Sequence, residues 1–142
     1  MSIEERQQEI ISEFSMFTDW MAKYEYIIEL GKELPLIDNE YKVGDNLIKG
    51  CQSRVWLHAE EGANGNIIFT ADSDAIITKG LVALVVRVLS DEKPKEIAES
   101  DLHFVKDLGL NEHLSQTRSN GLSSMIKQMK MYALAFQIKS IE

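Results

Sequence analysis

Residues 46–71 read NLIKGCQSRVWLHAEEGANGNIIFTA, and this stretch decides the fold that the sequence predicts. Residues 53–60 are rich in strand formers, and GANG at 62–65 is a turn before the apolar run at 66–71. This pattern predicts a β-hairpin, with residues 46–48 as a third antiparallel strand. The loop between residues 46–48 and the first strand of the hairpin then lies at one end of a small sheet.

That loop carries Cys51, the only cysteine in the sequence. Gly50 adopts a positive φ at no steric cost, so the chain can turn sharply and present the next side chain. Lys49 and Arg54 are near in sequence and are candidates to favour the thiolate, the nucleophilic form of cysteine, but a solvated surface charge is the favoured interpretation of both. Free cysteines are also commonly buried and inert. The stretch alone therefore leaves two interpretations open, a nucleophile and a small core residue.

Two helices are predicted before the sheet. Residues 3–17 have an apolar face at three- and four-residue spacing, which is typical of an amphipathic helix. A second helix is predicted from a cap at Thr18 or Asp19 to a terminating Gly31. The side chains that this second helix is expected to bury are those of Met21, Tyr24, Ile27 and Ile28.

A buried helix is predicted directly after the sheet. Residues 75–89 are nearly all apolar, and the run is longer than an ordinary strand. Gly80 inside this helix predicts a close contact with a neighbouring element, since a helical glycine costs about 1 kcal/mol relative to alanine. The acidic residues at 72–74 could bind a hard cation, but no full ligand loop surrounds them. A helix cap at Asp72 or Ser73 is therefore favoured.

The remainder of the chain is predicted to be helical. Short helices are expected at residues 94–99 and after a cap at Asp101, with Gly109 ending the second. Ser119 is expected to cap a long C-terminal helix, whose apolar face would comprise Leu122, Met125, Ile126, Met129, Ala133 and Phe136. The sequence thus predicts an α+β fold with N-terminal helices, a small antiparallel three-stranded sheet and C-terminal helices.

Composition limits the function classes. With 142 residues and 44% apolar content, residues 1–142 are expected to form one domain with a substantial core. The net charge of −8 disfavours nucleic-acid binding. No apolar run approaches the roughly 18 residues of a membrane helix, and the N-terminus does not resemble a signal segment. A cytoplasmic protein with a free thiol is expected, because one cysteine cannot form an intramolecular disulfide.

The remaining chemistry offers little support for a metal or cofactor. His58, His103 and His113 lack the close spacing of a zinc site, and no peptidase signature surrounds Cys51. An iron–sulfur cluster normally needs several thiolates, and this chain has one. No Gly-rich phosphate loop or Schiff-base motif is present, so no cofactor and no metal of its own is expected.

Short motifs are spread along nearly the whole chain. The most specific motif is GCQS at residues 50–53. The others are Trp20, residues 24–31, 34–35, 55–56, 72–75 and 79–81, Pro94 with Ile97, and residues 113–115 and 118–122. In order and spacing, these motifs resemble those of the SufE proteins, which accept sulfur as a persulfide during iron–sulfur cluster assembly.

The resemblance implies a SufE-like fold, similar to the IscU-type scaffold, and assigns the persulfide to Cys51. Supporting roles are expected for Gly50, Gln52, Ser53, Asp74 and Arg118. The implied donor is a SufS-like cysteine desulfurase, which uses pyridoxal phosphate and is stimulated by the acceptor. The implied recipient is a SufBCD-type scaffold. The chain would be a sulfur-transfer protein rather than a stand-alone enzyme. The alternative is a binding module that regulates a desulfurase without chemistry at Cys51.

A carrier thiol must be sheltered at rest and still reach its partners. We expect the loop to fold a largely buried Cys51 onto the helix after Asp74 and the C-terminal helix, and to swing it outward on docking.

Overall fold

The computed structural model describes residues 1–141, with side chains through residue 139. Its two N-terminal helices are α1 (Ile3–Phe14) and α2 (Trp20–Gly31). The carboxylate of Asp19 caps α2 by accepting the Ala22 N–H at 2.8 Å. Both predicted helices and this cap are confirmed, although α1 ends three residues before Phe17.

The predicted buried face of α2 is partly wrong. Met21 is 71% exposed, whereas Ile27 is fully buried. At 3.6 residues per turn, Met21 lies roughly a third of a turn away from Ile27 and therefore points away from the core.

A two-stranded antiparallel sheet follows in the described part of the chain, formed by β1 (Val55–Glu61) and β2 (Ile67–Ser73). Val55 pairs with Ser73 and Glu61 with Ile67, so the predicted hairpin is confirmed. The predicted third strand at residues 46–48 is wrong, because among the described residues it contributes only an isolated bridge between Leu47 and Trp56. The preceding residues form a 3₁₀ helix (Gly44–Asn46), which engages the Leu47 N–H and limits pairing.

The long helix α3 (Ile76–Leu89) confirms the prediction for residues 75–89, and most of its side chains are buried. Gly80 lets it pack closely on α2: a Cβ added there would lie 2.5 Å from Ile27 Cγ2 and would collide with the Ile27 carbonyl oxygen. The predicted cap at Asp72 or Ser73 is wrong, because both residues belong to β2 and α3 has no side-chain cap. Asp72 instead forms ion pairs with Lys42 and Lys79.

The C-terminal half contains α4 (Pro94–Glu99), α5 (Phe104–Asp107), α6 (Leu110–His113) and α7 (Gln116–Ile141). The cap predicted at Asp101 is wrong: the side chain of Gln7 accepts the Phe104 N–H at 3.0 Å and donates to the Asp101 carbonyl at 3.1 Å. The helix α7 begins three residues before the predicted cap at Ser119, and Ser115 Oγ accepts the Arg118 N–H at 3.2 Å.

One hydrophobic core joins the helices to the hairpin. The helix α3 lies at its centre and packs on α2, β2, α1 and α7. Within the described residues, no helix is both long and apolar enough to cross a membrane. The buried face of α7 contains Leu122, Met125, Met129 and Ala133, as predicted, whereas Ile126 and Phe136 are half-buried.

Candidate functional site

The loop that carries Cys51 is fixed at both ends. On the entry side, the Ile48 N–H donates to the Val55 carbonyl at 2.9 Å. On the exit side, the Arg54 N–H donates to Asp74 Oδ1 at 3.0 Å. The Ser73 hydroxyl donates to the Arg54 carbonyl at 2.8 Å. The loop therefore bridges two anchored points, and Asp74 contributes to the site by holding its end.

Gly50 is at the tight turn before Cys51 and has φ of +92°, a conformation that favours glycine. An added Cβ would lie 2.5 Å from the Ser124 hydroxyl oxygen of α7 and 3.4 Å from Ser124 Cβ. The sharp turn expected from the sequence is present, and the loop rests directly on α7.

The Cys51 thiol is half-buried against α7. Its Sγ is 3.6 Å from the Gly121 carbonyl oxygen, to which a neutral thiol donates. A Cβ added at Gly121 would lie 3.5 Å from Sγ, in ordinary van der Waals contact, so the loop packs closely on this turn of α7. The thiol is thus less buried than the sequence analysis expected, but it rests on the expected helix.

Burial raises the pKa of the Cys51 thiol. The neutral thiol is therefore favoured at rest, because desolvation disfavours the charged form. Lys49 and Arg54 are both exposed, and their charges stay in water. Neither residue lines the cleft beside the thiol, so the structure agrees with the favoured interpretation of both as solvated surface charges.

A cleft of about 400 Å³ opens beside the thiol. The helices α3 and α7 form its walls, as the sequence analysis expected for the surface that shelters Cys51. Its lining residues are Cys51, Gln52, Ser53, Thr78, Leu81, Ser115, Thr117, Arg118, Gly121 and Met125. We call this the thiol cleft. It combines hydroxyl groups and one guanidinium with a few apolar side chains, so it can receive an anion or a polar group.

The structure brings Gln52, Ser53 and Arg118 together around Cys51 in the thiol cleft, whereas Gly50 and Asp74 support the loop from outside it. Sequence reasoning assigned no role at the site to Thr78, Ser115, Thr117 or Gly121, although Ser115 and Gly121 lie in the motifs at residues 113–115 and 118–122. Gly121 carried a weaker signal than Gly80: both are glycines inside a predicted helix, but an added Cβ would overlap α2 only at Gly80, whereas at Gly121 it would make ordinary contact with Cys51.

The three histidines lie away from the thiol cleft. The His58 ring stacks on Tyr41, with centroids 3.8 Å apart, and the His113 ring stacks on Trp20 at 4.0 Å. His103 hydrogen-bonds the carboxylates of Asp107 and Glu4, and these bonds raise its pKa. None of the three lines the thiol cleft.

The fold and site together define an α+β protein with a free thiol at the edge of a polar cleft. Comparison with known families assigns the chain to one of them. The sequence profile of the SufE family, described as an Fe-S metabolism associated domain, matches residues 8–133. The chain belongs to the SufE family, and its function is associated with iron–sulfur metabolism.

The structure is also similar to the solution structure of a hypothetical protein from the bacterium Thermus thermophilus. The TM-score is 0.76, and the match covers 94% of this chain and 96% of that one. At 16% sequence identity, this likeness supports the α+β fold alone.

Proposed function

We propose that this protein accepts sulfur from a SufS-like cysteine desulfurase as a persulfide on Cys51 and passes it to a SufBCD-type assembly scaffold. Residues 1–142 act as one domain in this proposal, in a reducing compartment such as the cytoplasm. The observation that carries it is the position of Cys51: its thiol lies at the edge of an open polar cleft instead of in the core. A partner can therefore reach the sulfur atom.

The transfer needs only one cysteine on each protein. The Cys51 thiolate attacks the outer sulfur of the donor persulfide, and a new sulfur–sulfur bond forms at Cys51 Sγ. The bond between the two sulfur atoms of the donor breaks, and the electron pair leaves with the donor's own thiolate. That thiolate takes up a proton equivalent to the one lost by Cys51. The step is a redox-neutral exchange and requires no cofactor on this chain, because pyridoxal phosphate belongs to the donor.

The thiol cleft suits the product of this exchange. A persulfide anion needs hydrogen-bond donors and a nearby cation, and the cleft offers the hydroxyls of Ser115 and Thr117 and the guanidinium of Arg118. The raised pKa of Cys51 keeps the unloaded thiol neutral, so docking must also promote its deprotonation. Removal of sulfur from the donor regenerates the donor thiol, which is how the acceptor would stimulate the desulfurase.

Mass spectrometry tests the proposal directly. After incubation with a desulfurase and cysteine, the intact protein should gain about 32 Da per sulfur accepted, and a peptide map should place the addition on Cys51. Dithiothreitol should remove it. The Cys51→Ser variant is the matched control and should gain no mass, because a hydroxyl cannot carry a persulfide.

Two results would contradict the proposal. Sulfur acceptance by the Cys51→Ser variant would exclude Cys51 as the carrier. An unmodified Cys51 in a protein that still stimulates the desulfurase would favour the binding module that regulates without covalent chemistry.

A further inference from the structure

A second cleft of about 400 Å³ lies on the other side of the Cys51 loop. We call it the lysine cleft, and it is lined by residues 45–49 together with Ser124, Lys127, Gln128, Met131 and Tyr132 of α7. Gly50 rests on Ser124 between the two clefts, one turn of α7 after the contact of Cys51 with Gly121. Lys49 and Cys51 are two residues apart and line different clefts, so a molecule in the lysine cleft would touch the loop that carries the thiol.

The charge of the lysine cleft is opposite to that of the whole chain, which has a net charge of −8. The side-chain ammonium groups of Lys49 and Lys127 are both exposed, and neither forms a salt bridge or a hydrogen bond with the described residues. Among the described residues, Asp45 is the one carboxylate that lines the cleft, so the side chains of the lining carry a net charge of +1. This cleft is therefore suited to attract a carboxylate.

An exposed apolar stripe continues from the lysine cleft along α7. Met131, Leu134 and Ile138 are 52%, 48% and 61% exposed. Their spacing places them with Lys127 on one face of α7, opposite the face that packs into the core. Apolar side chains clustered on a surface and flanked by charged groups are typical of protein–protein contacts.

Sulfur transfer places a constraint on where a donor can bind. The donor's persulfide must enter the thiol cleft to reach Cys51 Sγ, so that cleft has to remain open to the reacting atoms. Most of the binding free energy must then come from a neighbouring surface. The lysine cleft and the apolar stripe satisfy this requirement, because they are continuous with the base of the Cys51 loop at Lys49 and Ser124.

We infer that the lysine cleft and the stripe of Met131, Leu134 and Ile138 form the docking surface for the protein that donates sulfur to Cys51. The occupant is a segment of that protein with at least one carboxylate next to apolar side chains. The carboxylate contacts Lys49 and Lys127, and the apolar side chains cover the stripe. This inference rests on the proposed function, since it identifies the surface that the persulfide donor uses.

The test is a charge reversal at Lys127, compared with an equal change elsewhere. Lys127→Glu should raise the dissociation constant for the desulfurase about tenfold, with a larger effect at low salt than at high salt. Lys106→Glu on α5 is the matched control, because Lys106 is also exposed and gives the same change in net charge. It should stay within about twofold of the wild type. Isothermal titration measures the binding, and circular dichroism checks that both variants are folded.

Met131→Ser tests the apolar part independently. It should weaken binding several-fold with little dependence on salt, because the variant changes no charge. If Lys127→Glu and Lys106→Glu weaken binding equally, the effect is one of general charge and the inference is wrong. Unchanged binding of Lys127→Glu would also overturn it. The inference is also wrong if the wild type sediments as a dimer and Met131→Ser dissociates that dimer, since a second copy would then cover the stripe.

Sulfur loading in the same samples separates this inference from the proposed function. If wild-type Cys51 gains no sulfur at saturating desulfurase, the proposed function fails. If Cys51 is loaded and Lys127→Glu still binds as well as the wild type, only the assignment of the docking surface fails. The expected result is that Lys127→Glu loads more slowly at low desulfurase concentration and approaches the wild-type rate at saturation.

Discussion

Replacing Gly50 by alanine should release the Cys51 loop from its resting position. The φ of +92° at Gly50 is one that L-residues rarely adopt, and a Cβ would lie 2.5 Å from Ser124 Oγ. The serine hydroxyl can rotate away from the new methyl group, so most of the penalty comes from the backbone. A left-handed conformation costs alanine about 1–2 kcal/mol.

This strain opposes the resting loop alone, because Gly50→Ala can relax to a negative φ once the loop leaves α7. A penalty of about 1–2 kcal/mol shifts the equilibrium between resting and open loop by roughly 5- to 30-fold. Cys51 should then react with a bulky maleimide faster by up to this factor, since the contact with Gly121 is lost in the open loop. Stopped-flow or mass-spectrometric labelling of the free protein measures the rate.

Gly65→Ala is the matched control for Gly50→Ala. Gly65 has a φ of +82° in the turn between β1 and β2, and the nearest atom to an added Cβ is Lys93 Nζ at 3.7 Å. The Gly65→Ala variant introduces similar backbone strain without touching the Cys51 loop, so Cys51 should be labelled at the wild-type rate. Adding Ser124→Ala to Gly50→Ala should preserve most of the acceleration. Wild-type labelling of Gly50→Ala, or equal acceleration by Gly65→Ala, would refute the reasoning.

Three further predictions concern stability and pH. Gly80→Ala should lower the free energy of unfolding, measured in urea, by about 2 kcal/mol, because overlap with α2 outweighs the gain in helix propensity. Gly44→Ala is the control and should have little effect, because the space around Gly44 is open. The rate of alkylation of Cys51 by iodoacetamide should titrate at a higher pH in the native protein than in urea, since burial raises its pKa. His103 has a raised pKa, so its contribution to stability should be full at acidic pH and should decline as the pH rises through its folded pKa. The melting temperature of the wild type should follow this trend, and that of the His103→Gln variant should not.

The helices were predictable where the signal is local. Residues 75–89 are too long and too apolar for an ordinary strand, and α3 occupies nearly the same range. The hairpin was predictable for the same reason, because its turn and both strands lie within a short stretch. The third strand was not, since Leu47 had strand character but its N–H was already engaged by the preceding 3₁₀ helix.

Helix starts were less predictable, because their partners come from distant parts of the chain. The N-terminus of α5 is bound by Gln7, which is 97 residues away from Phe104 in sequence. Ser119 looked like a cap, but α7 starts earlier, where Ser115 binds the Arg118 N–H. The free N–H groups at a helix start can therefore be bound by a distant side chain, and the sequence near the helix does not show which side chain binds them.

The position of Cys51 in a loop after a glycine was predictable from sequence, whereas its environment was not. Thr78 and Gly121 approach it only because α3 and α7 pack together across the core. Lys49 illustrates the same limit: it is next to Cys51 in sequence, but it lines the lysine cleft on the other side of the loop. Sequence proximity to a thiol does not determine which surface a long side chain occupies.

If Cys51 carries sulfur as we propose, loading must disrupt the hydrogen bond between its thiol and the Gly121 carbonyl oxygen. Cys51 Sγ is 3.6 Å from the Gly121 carbonyl oxygen, and an added sulfur would lie about 2 Å from Sγ. Along that line, only about 1.6 Å would remain to the oxygen, far less than a van der Waals contact. The proposed persulfide would therefore point away from Gly121. Arg118 is the only cationic residue among the described residues that line the thiol cleft. In the proposed cycle, the hydrogen bond to Gly121 thus belongs to the protein without sulfur, and the loaded protein would gain contacts with the cleft in exchange.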